Sequence, residues 1–179
     1  MAGRQAMVIS MMAEDRPGIV AEATEGIGAL GGNLADLRES VLCGWFTMIL
    51  IAVFPEQVEA ADVERALSES TGSRVAVARH EGPLVEEAKT RHAYVLSAAG
   101  RDRIGLVAQV SRFCCDRGVN ILDLASHVEE NRYTMMLLLD LANIYSLERF
   151  EQELAGFGRE SDLQLVLQHN DIFRATNEI

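Results

Sequence analysis

Apolar residues along the chain follow two periods, and the two periods alternate in the same order in each half. Short apolar runs with β-branched residues predict strands, whereas apolar residues three and four positions apart predict helices. In the first half the predicted strands are Ala6–Ala13, Asn33–Leu42, Trp45–Phe54 and Ser73–His80. One predicted helix opens at Asp15–Gly18 and ends before Gly31, and the other is Gln57–Ser70.

The second half repeats this pattern. Its predicted strands are His92–Gly100, Asn120–Val128, Tyr133–Leu141 and Leu163–His169. Its predicted helices are Ile104–Arg117 and Leu147–Phe157. Between the halves lies a charged segment that starts at Gly82-Pro83. This dipeptide is typical of turns and loops and marks the boundary between the halves. The order of elements is therefore β-α-β-β-α-β, twice.

The two halves also share residues at a constant offset. Asp15-Arg16-Pro17-Gly18-Ile19-Val20 matches Asp102-Arg103-Ile104-Gly105-Leu106-Val107, and both 102 − 15 and 105 − 18 give 87. The later Gly-x-Asn-x-x-Asp stretches match at the same offset. His80 and His169 differ by 89, which we interpret as a two-residue insertion near Ala142–Tyr145. The chain is therefore an internal duplication.

The repeat predicts an α+β fold of two ferredoxin-like βαββαβ modules in tandem, each an antiparallel four-stranded sheet with helices on one face. Right-handed crossovers place the first and third strands of each module in the middle. The second and fourth strands are edges, which invite pairing with another sheet, so we expect a homo-oligomer. The predicted boundaries are 1–81 for the first module, 82–91 for the linker, 92–171 for the second module and 172–179 for a tail.

Composition limits the classes of partner. The net charge is −11, with 16 basic and 27 acidic residues. Direct nucleic-acid binding depends on clustered Lys and Arg, and the basic residues of this chain are scattered. The composition therefore argues against direct binding of DNA or RNA. No apolar run approaches the roughly 20 residues that cross a bilayer. The first residues lack the layout of a signal peptide, so the expected location is the cytoplasm. Three cysteines, two of them adjacent, argue against a disulfide framework.

The paired motifs resemble those of ACT domains, which are small regulatory modules that bind amino acids where two modules meet. The motifs that carry this resemblance are Asp-Arg-Pro-Gly-Ile-Val, Asp-Arg-Ile-Gly-Leu-Val and the following Gly-x-Asn-Leu/Ile-x-Asp. The end of the second module, Gln168 to Ala175, is also similar to a group of small single-ACT proteins. The resemblance covers nearly the whole chain except the linker.

Two tandem ACT domains without a catalytic domain resemble the family of glycine cleavage system transcriptional repressors. That resemblance implies a non-catalytic regulator that binds a small amino acid, with glycine favoured over serine, and controls a protein partner, namely a LysR-type activator. Two alternatives stay open. The chain could be a regulatory subunit of an amino-acid or folate enzyme, or an interaction scaffold with a degenerate ligand site.

The repeated bends supply the candidate ligand site. Glycine lets a ligand approach the backbone, and the first N–H groups of the next helix can accept a carboxylate. The alternative is that each Asp caps the helix and each Gly relieves a turn. The candidate ligand-binding residues are Asp15, Arg16, Gly18, Asn33, Asp36, Asp102, Arg103, Gly105, Asn120 and Asp123.

The strand residues of this set also have alternative interpretations. Asn33 and Asn120 follow a glycine and can adopt left-handed backbone in a turn. Asp36 and Asp123 can be solvated carboxylates on an edge strand. The four histidines are not spaced as a metal site, no Ser or Cys stands in a nucleophile context, and the glycines do not form a phosphate-binding fingerprint. The sequence therefore predicts no catalytic group, metal or cofactor.

Overall fold

A computed structural model of the chain describes residues 3–82 and 92–177. The chain divides into two compact units, Met1–Val85 and Glu86–Ile179, called unit 1 and unit 2 below. Residues 83–91 of the predicted linker and the last two residues of the predicted tail lie outside the described residues.

Unit 1 contains four strands and two helices in the predicted order. The strands are β1 (Arg4–Glu14), β2 (Asn33–Leu42), β3 (Trp45–Pro55) and β4 (Arg74–His80), and the helices are α1 (Ile19–Ala29) and α2 (Ala60–Thr71). Helix α2 begins three residues later than predicted, because the Val58 N–H bonds to the carbonyl of Pro55 and closes a turn first.

Unit 2 repeats these elements and adds one. The strands are β5 (Ala93–Arg101), β6 (Asn120–Glu129), β7 (Arg132–Asp140) and β8 (Leu163–His169). The helices are α3 (Leu106–Cys115), α4 (Leu147–Glu160) and α5 (Asn170–Asn177). Helix α5 begins at the end of the second predicted module and covers most of the predicted tail.

Each unit has the predicted ferredoxin-like sheet. The strand orders are β2-β3-β1-β4 and β6-β7-β5-β8, and all pairs are antiparallel. The first and third strands are therefore central and the second and fourth are edges, which confirms the predicted fold class. Strand β3 alternates between buried and more exposed positions along its length, as expected of a sheet that has helices on one face.

Each unit also has a hydrophobic core of its own, built at matching positions. The core of unit 1 includes Leu50 and Phe54, and that of unit 2 includes Leu137 on the corresponding strand. Leu50 is 1% exposed and Leu137 is 0% exposed, and 137 − 50 gives the repeat offset of 87. The duplication therefore reproduces the packing of the sheet as well as the loop motifs.

The helix layers differ between the units. In unit 1 a Cβ added to Gly26 of α1 would come within 2.8 Å of the Leu67 side chain of α2. The matching residue in unit 2 is Phe113, whose ring stacks on Phe157 with centroids 4.7 Å apart. Glycine allows α1 and α2 to pack closely, whereas two aromatic rings fill the space between α3 and α4.

The predicted position of the two-residue insertion is wrong. The helix caps Glu59 and Ser146 still differ by 87, so the loop near Ala142–Tyr145 has its expected length. Helix α2 has 12 residues and α4 has 14. The change in offset therefore falls at the C-terminal end of the second helix of the unit, where an extra half turn of helix is tolerated at the surface.

Candidate functional site

The two repeated loops, Asp15–Gly18 and Asp102–Gly105, have the same backbone geometry. The Asp15 N–H donates to the carbonyl of Gly44 at 2.8 Å, and the Asp102 N–H donates to the carbonyl of Asn131 at 3.0 Å. Each loop is thereby tied to the hairpin turn beside it. Gly18 has φ of 93° and Gly105 has φ of 86°, a left-handed conformation that favours glycine.

Both loops leave the following helix without a side-chain cap. No side chain of residues 3–82 caps α1, and none of residues 92–177 caps α3. By contrast, Ser146 accepts a hydrogen bond from the Arg149 N–H at the start of α4. The interpretation of Asp15 and Asp102 as capping residues is therefore wrong, and amide donors in the first turns of α1 and α3 stay available to a bound anion.

The motif arginines hold the loops against the second helix of the same unit. Arg16 donates from Nη2 to the carbonyl of Thr71 at 2.9 Å, at the end of α2. Arg103 donates from Nη2 to the carbonyl of Ser161 at 2.8 Å, just after α4. Because carbonyls at a helix end lack helical partners, each arginine satisfies one and fixes its loop, which is a structural role in both units.

The two arginines differ in their second partner. Arg16 forms an ion pair with Glu22 and donates from Nη1 to Oε1 at 2.8 Å, and these hydrogen bonds hold the pKa of the Glu22 carboxyl below its ordinary value. Arg103 instead donates to the neutral amide of Gln109 at 3.0 Å. The first helical turn of unit 1 therefore carries a built-in carboxylate that unit 2 lacks.

The space beside the loop glycines differs accordingly. A Cβ on Gly18 would lie 3.7 Å from Oε1 of Glu22. A Cβ on Gly105 would have no atom of the described residues within 4 Å, apart from its chain neighbours and its own helix backbone. Ile104, which replaces the proline of unit 1, is fully exposed. The loop of unit 2 is therefore the more open of the two.

The strand candidates have local roles. The Asp36 and Asp123 carboxylates accept the N–H of the next residue at 2.8 and 2.9 Å, and a register shift precedes each of them. Both therefore support a β-bulge. Asn33 and Asn120 are the first residues of edge strands. The left-handed residues are Gly31 and Gly118, with φ of 72° and 68°, so the left-handed interpretation of the asparagines is wrong.

Within one unit, the structure does not bring the loop and strand candidates together. Asn33 pairs with Val53, whereas the loop contacts the hairpin at the other end of β3. The segment Trp45–Val53 spans roughly 27 Å at about 3.4 Å per residue. Unit 2 has the same arrangement, since Asn120 pairs with Asp140. Each unit therefore has two separate candidate groups, and the loop group alone has free helix donors.

Unit 2 has two open cavities, of which the second is lined by the loop residue Arg103. The first, of about 820 Å³, is lined by Gly100, Arg101 and residues around Asp162. The second, of about 880 Å³, lies between α3 and α4 and is lined by Arg103 and Phe113, among others. Both volumes are within the range of about 300–1,000 Å³ that is typical of small-ligand sites. Sequence patterns gave no signal for either cavity.

Metal binding and thiol reactivity depend on where the histidine, cysteine and carboxylate side chains lie. Among residues 3–82 and 92–177, no three His, Cys, Asp or Glu side chains cluster as metal ligands. Cys114 is buried in the core of unit 2, and burial raises the pKa of its thiol to about 11, so it is poorly nucleophilic. None of the helices within the described ranges is long and apolar enough to span a membrane.

Comparison with known proteins identifies relatives of about half the chain's length. The family model of the ACT domain matches residues 92–168. A UPF0237 protein of Methanocaldococcus jannaschii is 34% identical over 86 residues, which are 48% of this chain and 96% of that protein. A UPF0237 protein of Listeria monocytogenes is 30% identical over 86 residues, or 97% of its length.

Two solved structures match both units together. A protein of unknown function from Galdieria sulphuraria superposes with a TM-score of 0.74 and 20% identity, over 93% of this chain and 98% of that one. A protein assigned as a glycine cleavage system transcriptional repressor superposes with a TM-score of 0.69 and 19% identity, over 92% and 96% of the two chains. At these identities the similarity shows a shared tandem fold.

Proposed function

Because the chain belongs to the UPF0237 family and is built from tandem ACT domains, we propose that it is a non-catalytic regulatory protein that binds a small amino acid at the loop Asp102–Gly105. Binding would favour one state of the protein over another, which requires that the ligand bind those states with different affinities. That state would then be communicated to a protein partner.

One observation supports this proposal most directly: the open bend at Gly105 leads into an uncapped helix, and a cavity lined by Arg103 and Gln109 lies beside that helix. The first N–H groups of α3 would accept the carboxylate of the amino acid. The Asp102 carboxylate is exposed and accepts no hydrogen bond from the described residues, so it is available to the ammonium group. Glycine and serine are small enough for a site walled mainly by backbone.

The finer assignment is that the ligand is glycine and that the partner is a transcription activator of the LysR type. The fold similarity to the protein assigned as a glycine cleavage system transcriptional repressor supports it. So does the predominance of acidic residues in the chain, which favours a protein partner over direct contact with DNA.

Calorimetric titration of glycine, serine and alanine into the full-length protein tests the proposal. We expect saturable binding of at least one of them, and Gly105→Ala should weaken it about tenfold by straining the bend. Gly118→Ala is the matched control, because Gly118 is also left-handed and lies at the other end of α3. The absence of heat and of thermal shift with every amino acid would contradict the proposal.

Unit 1 supports a second candidate function, an interaction scaffold or regulatory subunit with a degenerate ligand site. The carboxylate of Glu22 already lies beside the loop that would receive the amino acid. Native mass spectrometry of the protein with its captured partner distinguishes the two functions. If the abundance of the complex is unchanged by every amino acid, the scaffold is favoured. If glycine raises or lowers that abundance, the sensor is favoured.

A further inference from the structure

Three arginines of unit 2 line the same open cavity of about 820 Å³. They are Arg101 at the end of β5, Arg132 at the start of β7 and Arg159 in the last turn of α4. All three are exposed, and among the described residues none of them has a carboxylate within 4.0 Å. In a chain with a net charge of −11, three cations at one cavity with no ion-pair partner need an explanation.

Two of these arginines are direct cross-strand partners. Arg101 pairs with Arg132 in the register of β5 and β7, so both side chains leave the same face of the sheet. That face is opposite the core residues Ala98 and Met135. Opposite positions on antiparallel strands place Cβ atoms about 5 Å apart, and like charges there are destabilising. An anion bound between the two guanidinium groups would remove this repulsion and would be held by charge-assisted hydrogen bonds.

The fold does not require arginine at these positions. At the repeat offset of 87, Arg101 and Arg132 correspond to Glu14 and Trp45, which pair in the same register of β1 and β3. Unit 1 therefore builds the same sheet with an acidic and an aromatic residue. The arginine pair belongs to unit 2 specifically, which is expected of a binding feature rather than of a folding feature.

Small residues and backbone form much of the remaining wall. Gly100 and Gly158 both line the cavity. A Cβ on Gly100 would collide with the Leu163 side chain of β8 at 2.6 Å, and a Cβ on Gly158 would make a tight contact of 3.0 Å with the Leu163 carbonyl oxygen. Asp162 is the acidic residue of the lining. Glu129 is the cross-strand partner of Arg132 on its other side. These two carboxylates offset part of the positive charge at the cavity. The remaining positive charge is centred on the Arg101–Arg132 pair.

We propose that the Arg101–Arg132 pair, where it borders this cavity, binds a small anion that carries two or more negative charges, of the phosphate or polycarboxylate class. Planar guanidinium groups bind both phosphate and carboxylate oxygens in bidentate fashion. A single carboxylate, as in glycine, would neutralise one of the two paired arginines and leave the other. The site is therefore separate in its chemistry from the loop that would take a neutral amino acid.

Binding titrations of the full-length protein test this inference. The probes are inorganic phosphate and pyrophosphate in one series, and malonate and citrate in the other, at constant ionic strength. We expect at least one series to bind with a dissociation constant below about 1 mM. The series that binds identifies the class of anion.

Substitutions then locate the site. Arg132→Gln and Arg101→Gln should each weaken binding of the anion about tenfold or more, since each removes one charged partner. Arg38→Gln in β2 of unit 1 is the matched control, because Arg38 is also exposed and on a strand. Circular dichroism confirms that each variant is folded.

Two results would overturn the inference. One is that neither series binds below about 1 mM, and the other is that Arg132→Gln and Arg38→Gln bind the anion equally well. Glycine titrated into Arg132→Gln keeps this test separate from the proposed function. Retained glycine binding with lost anion binding supports two independent sites, whereas a parallel loss of both overturns the separate anion site.

Discussion

At the scale of single residues, Glu22 and Gln109 distinguish the two repeated loops. They occupy the same position of the first helical turn, and each is hydrogen bonded by the motif arginine. A carboxylate at a helix N-terminus is stabilised by the same amide donors and dipole that would attract the carboxylate of a ligand. Under the proposed function, Glu22 would therefore compete with an amino-acid ligand in unit 1, whereas Gln109 would not compete in unit 2.

Exchanging these two residues should exchange the behaviour of the loops. Gln109→Glu is expected to weaken amino-acid binding about tenfold, because a second carboxylate would repel that of the ligand at close range. Glu22→Gln should leave the unit 2 site intact and add binding at unit 1. Calorimetric stoichiometry and affinity measure both effects.

Gln109→Glu should leave the fold of the loop unchanged. Glutamate at position 109 would still accept a hydrogen bond from Arg103, as Glu22 accepts one from Arg16, so the loop keeps its anchor. Unchanged glycine affinity in Gln109→Glu would show that the ligand does not approach the first turn of α3. It would remove the main support for the proposed site.

Sequence patterns predicted the loops better than the roles of their residues. The bend at Gly105 and the helix after it follow from local preferences, and both are present. The partner of Arg103 is the carbonyl of Ser161, 58 residues along the chain, and no local pattern reports a contact of that kind. The same limit applies to Asp123, whose role depends on a bulge in the pairing of β6 with β7.

At the scale of elements, the two glycines of α1 should respond in opposite directions to alanine. A Cβ on Gly26 would collide with Leu67, which is 0% exposed and has no room to move. Gly26→Ala should therefore lower the free energy of unfolding by about 1 kcal/mol after the gain in helix propensity. Denaturant unfolding of the full chain measures the change.

Gly28→Ala is the matched variant on the same helix. Apart from its chain neighbours and the α1 backbone, no atom of the described residues lies within 4 Å of a Cβ at Gly28, so alanine meets no obstacle. We expect it to raise the free energy of unfolding by up to about 1 kcal/mol through helix propensity. If both variants were stabilised, α1 and α2 would not pack as closely as described.

Helices α3 and α4 are linked instead by a carboxylate between two arginines. Glu153 of α4 accepts hydrogen bonds from Arg149 at 2.9 Å and from Arg117, just beyond α3, at 2.6 Å. These bonds hold the pKa of Glu153 below its ordinary value of 4.5. A lowered pKa means that the stabilisation is present above the ordinary pKa and disappears as the pH falls through the folded-state value.

Glu153→Gln should therefore lower the melting temperature at pH 7 and have little effect near pH 3. Glu151→Gln is the control, since Glu151 is exposed on the same helix and forms no ion pair with the described residues. Melting curves of both variants across this pH range provide the measurement. A deficit for Glu153→Gln that persists at pH 3 would assign the effect to packing rather than to charge.

The elements themselves were largely predictable, and the exceptions have physical causes. The bounds of β2 and β8 agree with prediction because a turn residue and a change of period coincide at each end. The C-terminal extension of α4 was not predicted, since a surface helix end is determined by only a few local contacts. Helix α5 was not predicted because it has only eight residues, and isolated helices of that length are marginally stable.

At the scale of the whole molecule, the duplication predicts more about architecture than about function. A constant offset of 87 aligns the sheet order and core of both units, because the same apolar positions fill the same space. It does not report where the copies have diverged. Glu22 and Gln109, Gly26 and Phe113, and Trp45 and Arg132 are such pairs, and each changes the chemistry or packing of one unit alone.

Separate cores lead to a final prediction about cooperativity. The two hydrophobic clusters share no residue among the described parts of the chain, so each unit should unfold as its own cooperative unit. Leu50→Ala in unit 1 and Leu137→Ala in unit 2 make equivalent cavities, and each should cost its unit about 2–5 kcal/mol. Hydrogen exchange with peptide resolution should show lost protection mainly in the unit that carries the substitution. Equal loss of protection in both units after either substitution would show that the duplicated chain unfolds as one body, because the stability of one core would then be transmitted fully to the other.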